Sequence, residues 1–177
     1  MTSLAQTLLR PRQRIVCVGL IVTCLVMAAV MSVAIPWASR AQDMTSDVIA
    51  ARKLLMDSIM NNMDRIQEMI SERRIDPSVS RQCADNIASM LAAFPHLFPP
   101  SSNQWKEDAY LDPVKDTYAS PDIWTEFADF SRRAAAAANT ALELRRADNE
   151  DDVKRFYRAL GIACDTCHAL YMKESVP

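Results

Sequence analysis

Between residues 46 and 71 the apolar side chains Ile49, Met56, Ile59, Met63, Ile66 and Ile70 return at steps of three and four, with Arg52 occupying the one place in the series where another apolar residue belongs. Such steps trace a single stripe along an α-helix, so this segment predicts a helix with a bundle-facing seam. A second helix opens at Asp76-Pro77, an N-cap followed by proline at the first helical position. It carries Cys83, Ile87, Met90, Leu91 and Phe94 before Pro95 stops it. The same start signal recurs at Ser120-Pro121-Asp122, ahead of a seam of Ile123, Phe127, Phe130, Ala134, Ala137, Ala141 and Leu144. Its alanines allow close helix approach at one end, and its aromatics leave a wider space at the other. A fourth helix starts near Asp148-Asn149, where Glu150, Asp151 and Asp152 suit the positive end of the helix dipole. Its buried positions are Val153, Tyr157, Leu160, Cys164, Cys167 and Tyr171. Residues 95–119, with Pro95, Pro99, Pro100 and Pro113, are too long a link for two adjacent antiparallel helices and fit a crossover at the end of a bundle. No strand-like alternation appears after residue 42, so the expected class is all-α.

The first 41 residues read differently. Arg10, Arg12 and Arg14 precede Ile15 to Ile35, a run of 21 residues without a charge, and Ser39-Arg40-Ala41 offers small residues at a cleavage site. That is an export signal, or a membrane anchor if it is retained, since the run reaches the ~20 residues that span a bilayer. Either way residues 42–177 are expected outside the inner membrane, facing the periplasm. They form one domain of ordinary size. They carry 16 basic against 22 acidic side chains, a net of −6, which argues against nucleic acid as a partner. Cys17 and Cys24 fall in the apolar run. Cys83 lacks a disulfide partner once Cys164 and Cys167 are otherwise engaged, and reads as a small core residue.

Chemistry concentrates in Cys164-Asp165-Thr166-Cys167-His168. A Cys-x-x-Cys pair alone fits a redox dithiol, half a zinc site or haem attachment. The adjacent histidine favours haem: each thiol adds across one vinyl group of a porphyrin and His168 reaches the iron. A dithiol of the thioredoxin kind is expected at a helix start after a strand, whereas a helical pattern runs through this pair. A zinc site needs a fourth ligand, and only Cys83 and His96 are spare. Opposite His168 the candidates for a sixth ligand are Met56 and His96, the latter reading more simply as a solvated loop histidine. Arg52 would be costly on an apolar stripe unless paired, and a haem propionate is a suitable partner. The simpler alternatives are an Arg52 that snorkels at the end of the bundle and a Met56 that is ordinary core. Gly161 interrupts the fourth helix, as it would if porphyrin or a neighbouring helix came close.

Taken together, Cys164-x-x-Cys167-His168 with Tyr171 three residues on, Pro121-Asp122-Ile123-Trp124 followed by Phe130, and Arg52-x-x-x-Met56 resemble the class II c-type cytochromes, the cytochrome c prime family, over residues 46–173. The resemblance implies an antiparallel four-helix bundle with one covalent haem c. In it His168 is proximal and Met56 is on the distal face, and Arg52, Trp124, Phe127, Phe130 and Tyr171 are grouped around the cofactor. Members with a bulky, non-ligating distal residue look like five-coordinate binders of nitric oxide or carbon monoxide. Those with a ligating methionine look like electron carriers, and Met56 points there. Where gas-binding members have an arginine or lysine after the tyrosine, this chain has Met172. The expected function is therefore periplasmic electron transfer by a monohaem protein that is not an enzyme. Its expected partners are redox proteins and a second copy of itself. Gas binding is the alternative.

Overall fold

The computed structural model describes residues 44–106, 112 and 116–173, so the expected signal or anchor over 1–41 lies outside the described residues. No helix among the described residues is long and apolar enough to cross a membrane. Of the two units into which the chain divides, the second, Thr45–Pro177, contains the fold.

Helix α1 runs over 44–71 and α2 over Pro77–Ala93. A short α3, Asp122–Thr125, leads into α4, Phe127–Arg145, and α5 covers Glu150–Tyr171. Their ends follow the capping signals. The Asp76 carboxylate accepts from the backbone N–H groups of Ser78 and Val79, and the Asn149 side chain accepts from Asp152 N–H at 2.9 Å. Helix α1 stops in a paired C-terminal motif: Arg74 N–H donates to Met69 O at 3.0 Å and Arg73 N–H to Ile70 O at 3.2 Å, with Arg73 left-handed at φ 54°. Between α2 and α3 the crossover forms two 3-10 turns, Phe94–Leu97 and Pro100–Ser102.

The four long helices make an antiparallel bundle, the class expected from the seams. Ile59, Met63 and Ile66 of α1 share one aliphatic core with Cys83, Ile87 and Leu91 of α2, Ala137, Ala141 and Leu144 of α4, and Val153 and Leu160 of α5. Cys83 is buried there as expected. Phe98, Ile123, Phe130 and Tyr171 form a second core, with Phe94, Trp124 and Cys167 packed on it. The alanine-rich and aromatic parts of the third seam are thus two different places in the bundle.

One expected seam residue is misplaced. Phe127 is 42% exposed, whereas Ile123 and Phe130 are each 2% exposed. In a continuous helix Phe127 would lie about 40° from Ile123 on the same face. The backbone instead breaks at Glu126, with φ −119° and ψ 36°, so α4 starts afresh and Phe127 turns outward.

Candidate functional site

Cys164, Cys167 and His168 lie in the C-terminal turns of α5. Both thiols are free and half-buried, and His168 is exposed. Burial pushes the Cys164 thiol up, reinforced by Cys167 and Asp165. Burial also pushes the Cys167 thiol up, with Arg133 pulling it back and Asp129 adding to the rise. Thiols raised in this way are poor nucleophiles, which disfavours a redox dithiol. Among the described residues no three His, Cys, Asp or Glu side chains gather as a metal site, which disfavours zinc.

The two cysteines straddle the boundary between the cores. Cys164 packs on the aliphatic cluster and Cys167 on the aromatic one. Across the bundle α1 does the same. Met56, half-buried, packs on the aliphatic cluster that also holds Cys164. Arg52, one turn earlier, has its guanidinium carbon 4.4 Å from the centre of the Phe98 ring and 6.0 Å from that of Trp124, both in the aromatic cluster. The motif of α1 and the motif of α5 therefore stand at one level of the bundle, in antiparallel order.

Arg52 is the most informative side chain at that level. It is only 4% exposed, so it does not snorkel to water. Its Nη2 donates to Ser102 O at 3.4 Å, and its Nε and Nη1 have no hydrogen-bond partner among the described residues. Desolvation lowers its pKa to about 10. A buried guanidinium with two idle donors is costly, and an acidic group placed against it removes that cost. The carboxylate of a haem propionate fits this donor set.

The C-terminal end of α5 is tied down from two sides. Tyr171, 5% exposed, donates its hydroxyl to Asp129 Oδ2 of α4 at 2.7 Å, and its carbonyl accepts from Ser120 N–H at 2.9 Å. Lys173 N–H donates to Tyr118 O at 2.8 Å, and Ala119 and Met172 pair as an isolated β-bridge. Asp129 also accepts from Arg133 Nε at 2.5 Å and is paired with Arg132. Hydrogen bonds from Arg133 and Tyr171 hold the Asp129 carboxyl down to about 2, while burial and then the bond to Asp129 push Tyr171 up to about 12. A depressed carboxyl contributes stability that is complete above its unfolded value near 3.8 and is lost as pH falls towards 2. Acid unfolding should therefore show a component between pH 4 and 2 that Asp129→Asn removes, as followed by far-ultraviolet circular dichroism.

Trp124 is half-buried, donates its indole N–H to Pro99 O at 3.2 Å and stacks edgewise on Phe98. Phe130 contacts Tyr171 at 5.3 Å between ring centres. Of the aromatic residues expected around a cofactor, Trp124, Phe130 and Tyr171 belong to one cluster, and the exposed Phe127 touches its edge, 6.2 Å from Phe130 between ring centres. His96 is exposed in its 3-10 turn. No atom lies within 4 Å of a Cβ built on Gly161, so close approach of a neighbouring helix does not explain that glycine. Phe98, Ser102, Asp129 and Arg133 join the site without having been expected. The first two lie in a crossover with no periodicity. The last two resemble an ordinary i,i+4 surface pair, whose only distinguishing sign is that it flanks Phe130.

The model of the cytochrome c′ family matches residues 47–172, which is the whole bundle. No curated protein matches the sequence. Among solved structures, cytochrome c′ from Thermochromatium tepidum is similar at 20% identity and TM-score 0.64, covering 73% of this chain and 97% of its own. A cytochrome c′ described as having ligand-controlled dimer dissociation has 21% identity, TM-score 0.62 and coverage of 73% and 97%. A nitric oxide complex of a mutant cytochrome c′ from Alcaligenes xylosoxidans has 17% identity, TM-score 0.62 and the same coverage.

Proposed function

Because the chain belongs to the cytochrome c′ family, whose members bind covalent haem c, we propose that it is a monohaem electron carrier held at the level marked by Arg52, Met56, Cys164 and Cys167. Bound haem c supplies a one-electron Fe(II)/Fe(III) couple. Cys164 and Cys167 form the two thioethers, and their partial burial on two different cores fixes the attachment turn. His168 provides the proximal imidazole. Arg52 binds a propionate through the donors that the protein leaves idle, and this buried guanidinium is the observation that carries the reading. Met56, on the Arg52 face of α1 and in the core that Cys164 touches, provides a soft thioether as sixth ligand.

A second reading has its own support. The solved neighbours are cytochromes c′, and one is a nitric oxide complex. If Met56 stays in the aliphatic core, the sixth position is open and the protein binds nitric oxide or carbon monoxide. The domain is placed on the periplasmic side on the strength of Arg10, Arg12 and Arg14 ahead of the uncharged run. Self-association is proposed by likeness to the dimeric neighbour. Electron carriage is tested by potentiometric titration of the purified protein. A reversible one-electron wave from haem that resists acid-acetone extraction is expected, and irreversible or absent redox change would count against it.

A further inference from the structure

Asp129 and Arg133 stand one turn apart on α4 and face the end of α5. The carboxylate is bridged between Arg133 Nε at 2.5 Å and the Tyr171 hydroxyl at 2.7 Å, while Arg132 closes its other oxygen. Tyr171 lies one turn beyond Cys167 on α5 and both belong to the same aromatic cluster, so this charged group is tied to the end of the helix that carries the attachment motif.

We propose that Asp129 and Arg133 are opposed tuning residues that set the reduction potential of the iron across the contact between α4 and α5. This rests on the haem reading given above. Oxidised iron carries one more positive charge than reduced iron, so a nearby cation disfavours it and raises the potential, and a nearby anion lowers it. In the intact pair the two effects oppose each other. Asp129 is itself a positioning residue for Tyr171, whose hydroxyl fixes the carboxylate and whose backbone ends the helix. Side chains 27% exposed for Asp129 and 32% for Arg133 leave the charges partly screened by water, so the effect is moderate and falls with salt.

The experiment is potentiometric titration of haem-loaded, full-length wild type beside Asp129→Asn and Arg133→Gln, at low and high ionic strength. Asp129→Asn should raise the potential and Arg133→Gln should lower it. Each change should alter the redox equilibrium constant several-fold up to tenfold, tenfold being about 59 mV for one electron. Both shifts should shrink in high salt. Arg133→Lys, which keeps the charge, should stay near wild type, and this pair of arginine variants decides the matter if the asparagine variant does not fold. A purely structural role would loosen the haem turn in every variant and move both potentials the same way. Shifts of like sign, or none, in variants with wild-type haem content would overturn the tuning role alone. Absence of covalent haem from the wild type would overturn it together with the site reading.

Discussion

Alanine at both Cys164 and Cys167 removes all covalently held haem: acid-acetone extraction should leave the wild-type chain coloured and the double variant colourless. Two thioethers are the only covalent links expected, because Cys83 is a buried core residue outside the Cys-x-x-Cys-His motif. A single substitution should leave one link and a partial phenotype. The bundle itself should survive. Both thiols are half-buried, and losing a sulfur at such a site costs less than the ~2–5 kcal/mol of emptying a fully buried large side chain. Circular dichroism should therefore report a helical protein in the double variant, and its haem loss should reflect attachment. Covalent haem persisting without both cysteines would end this account of the site.

The second large effect is expected at Met56. Replacing it with alanine removes the thioether that stands one turn from Arg52 on the same face of α1 and packs on the core that Cys164 touches. The iron should become high-spin and bind carbon monoxide readily. The reduction potential should drop, since methionine ligation favours the reduced state. The accompanying loss of packing should be small, at or below the ~2 kcal/mol lower end for buried methionine, because Met56 is only half-buried. Methionine at position 56 as mere core filling predicts a different pattern: a similar small loss of stability with no change of spin state.

The helices were legible because each leaves a local record. The seam from Ile49 to Ile70 needs only a stripe that faces a core, and Asp76 and Asn149 cap their helices with their own side chains. Cys164, Cys167 and His168 were legible because spacing on one helix is itself the chemistry. Arg52 was legible as an anomaly on an apolar stripe, although its burial among Phe98, Trp124 and Ser102 depends on contacts 46 to 72 residues distant in sequence, which no periodicity records. Phe127 was misread because the seam was carried unbroken through Glu126, and one non-helical residue there is enough to turn the next side chain to solvent. Asp129 and Arg133 were invisible for a related reason. An i,i+4 ion pair on a helix surface looks the same whether or not a tyrosine from another helix completes it.

The most direct test of the whole reading is the absorption spectrum of the reduced wild-type protein before and after carbon monoxide. Iron held between His168 and Met56 predicts a low-spin spectrum with the sharp bands of a six-coordinate c-type haem, unchanged when the gas is added. A high-spin spectrum that shifts at once on exposure to carbon monoxide would contradict it, leaving Met56 in the core and the sixth position to a gas.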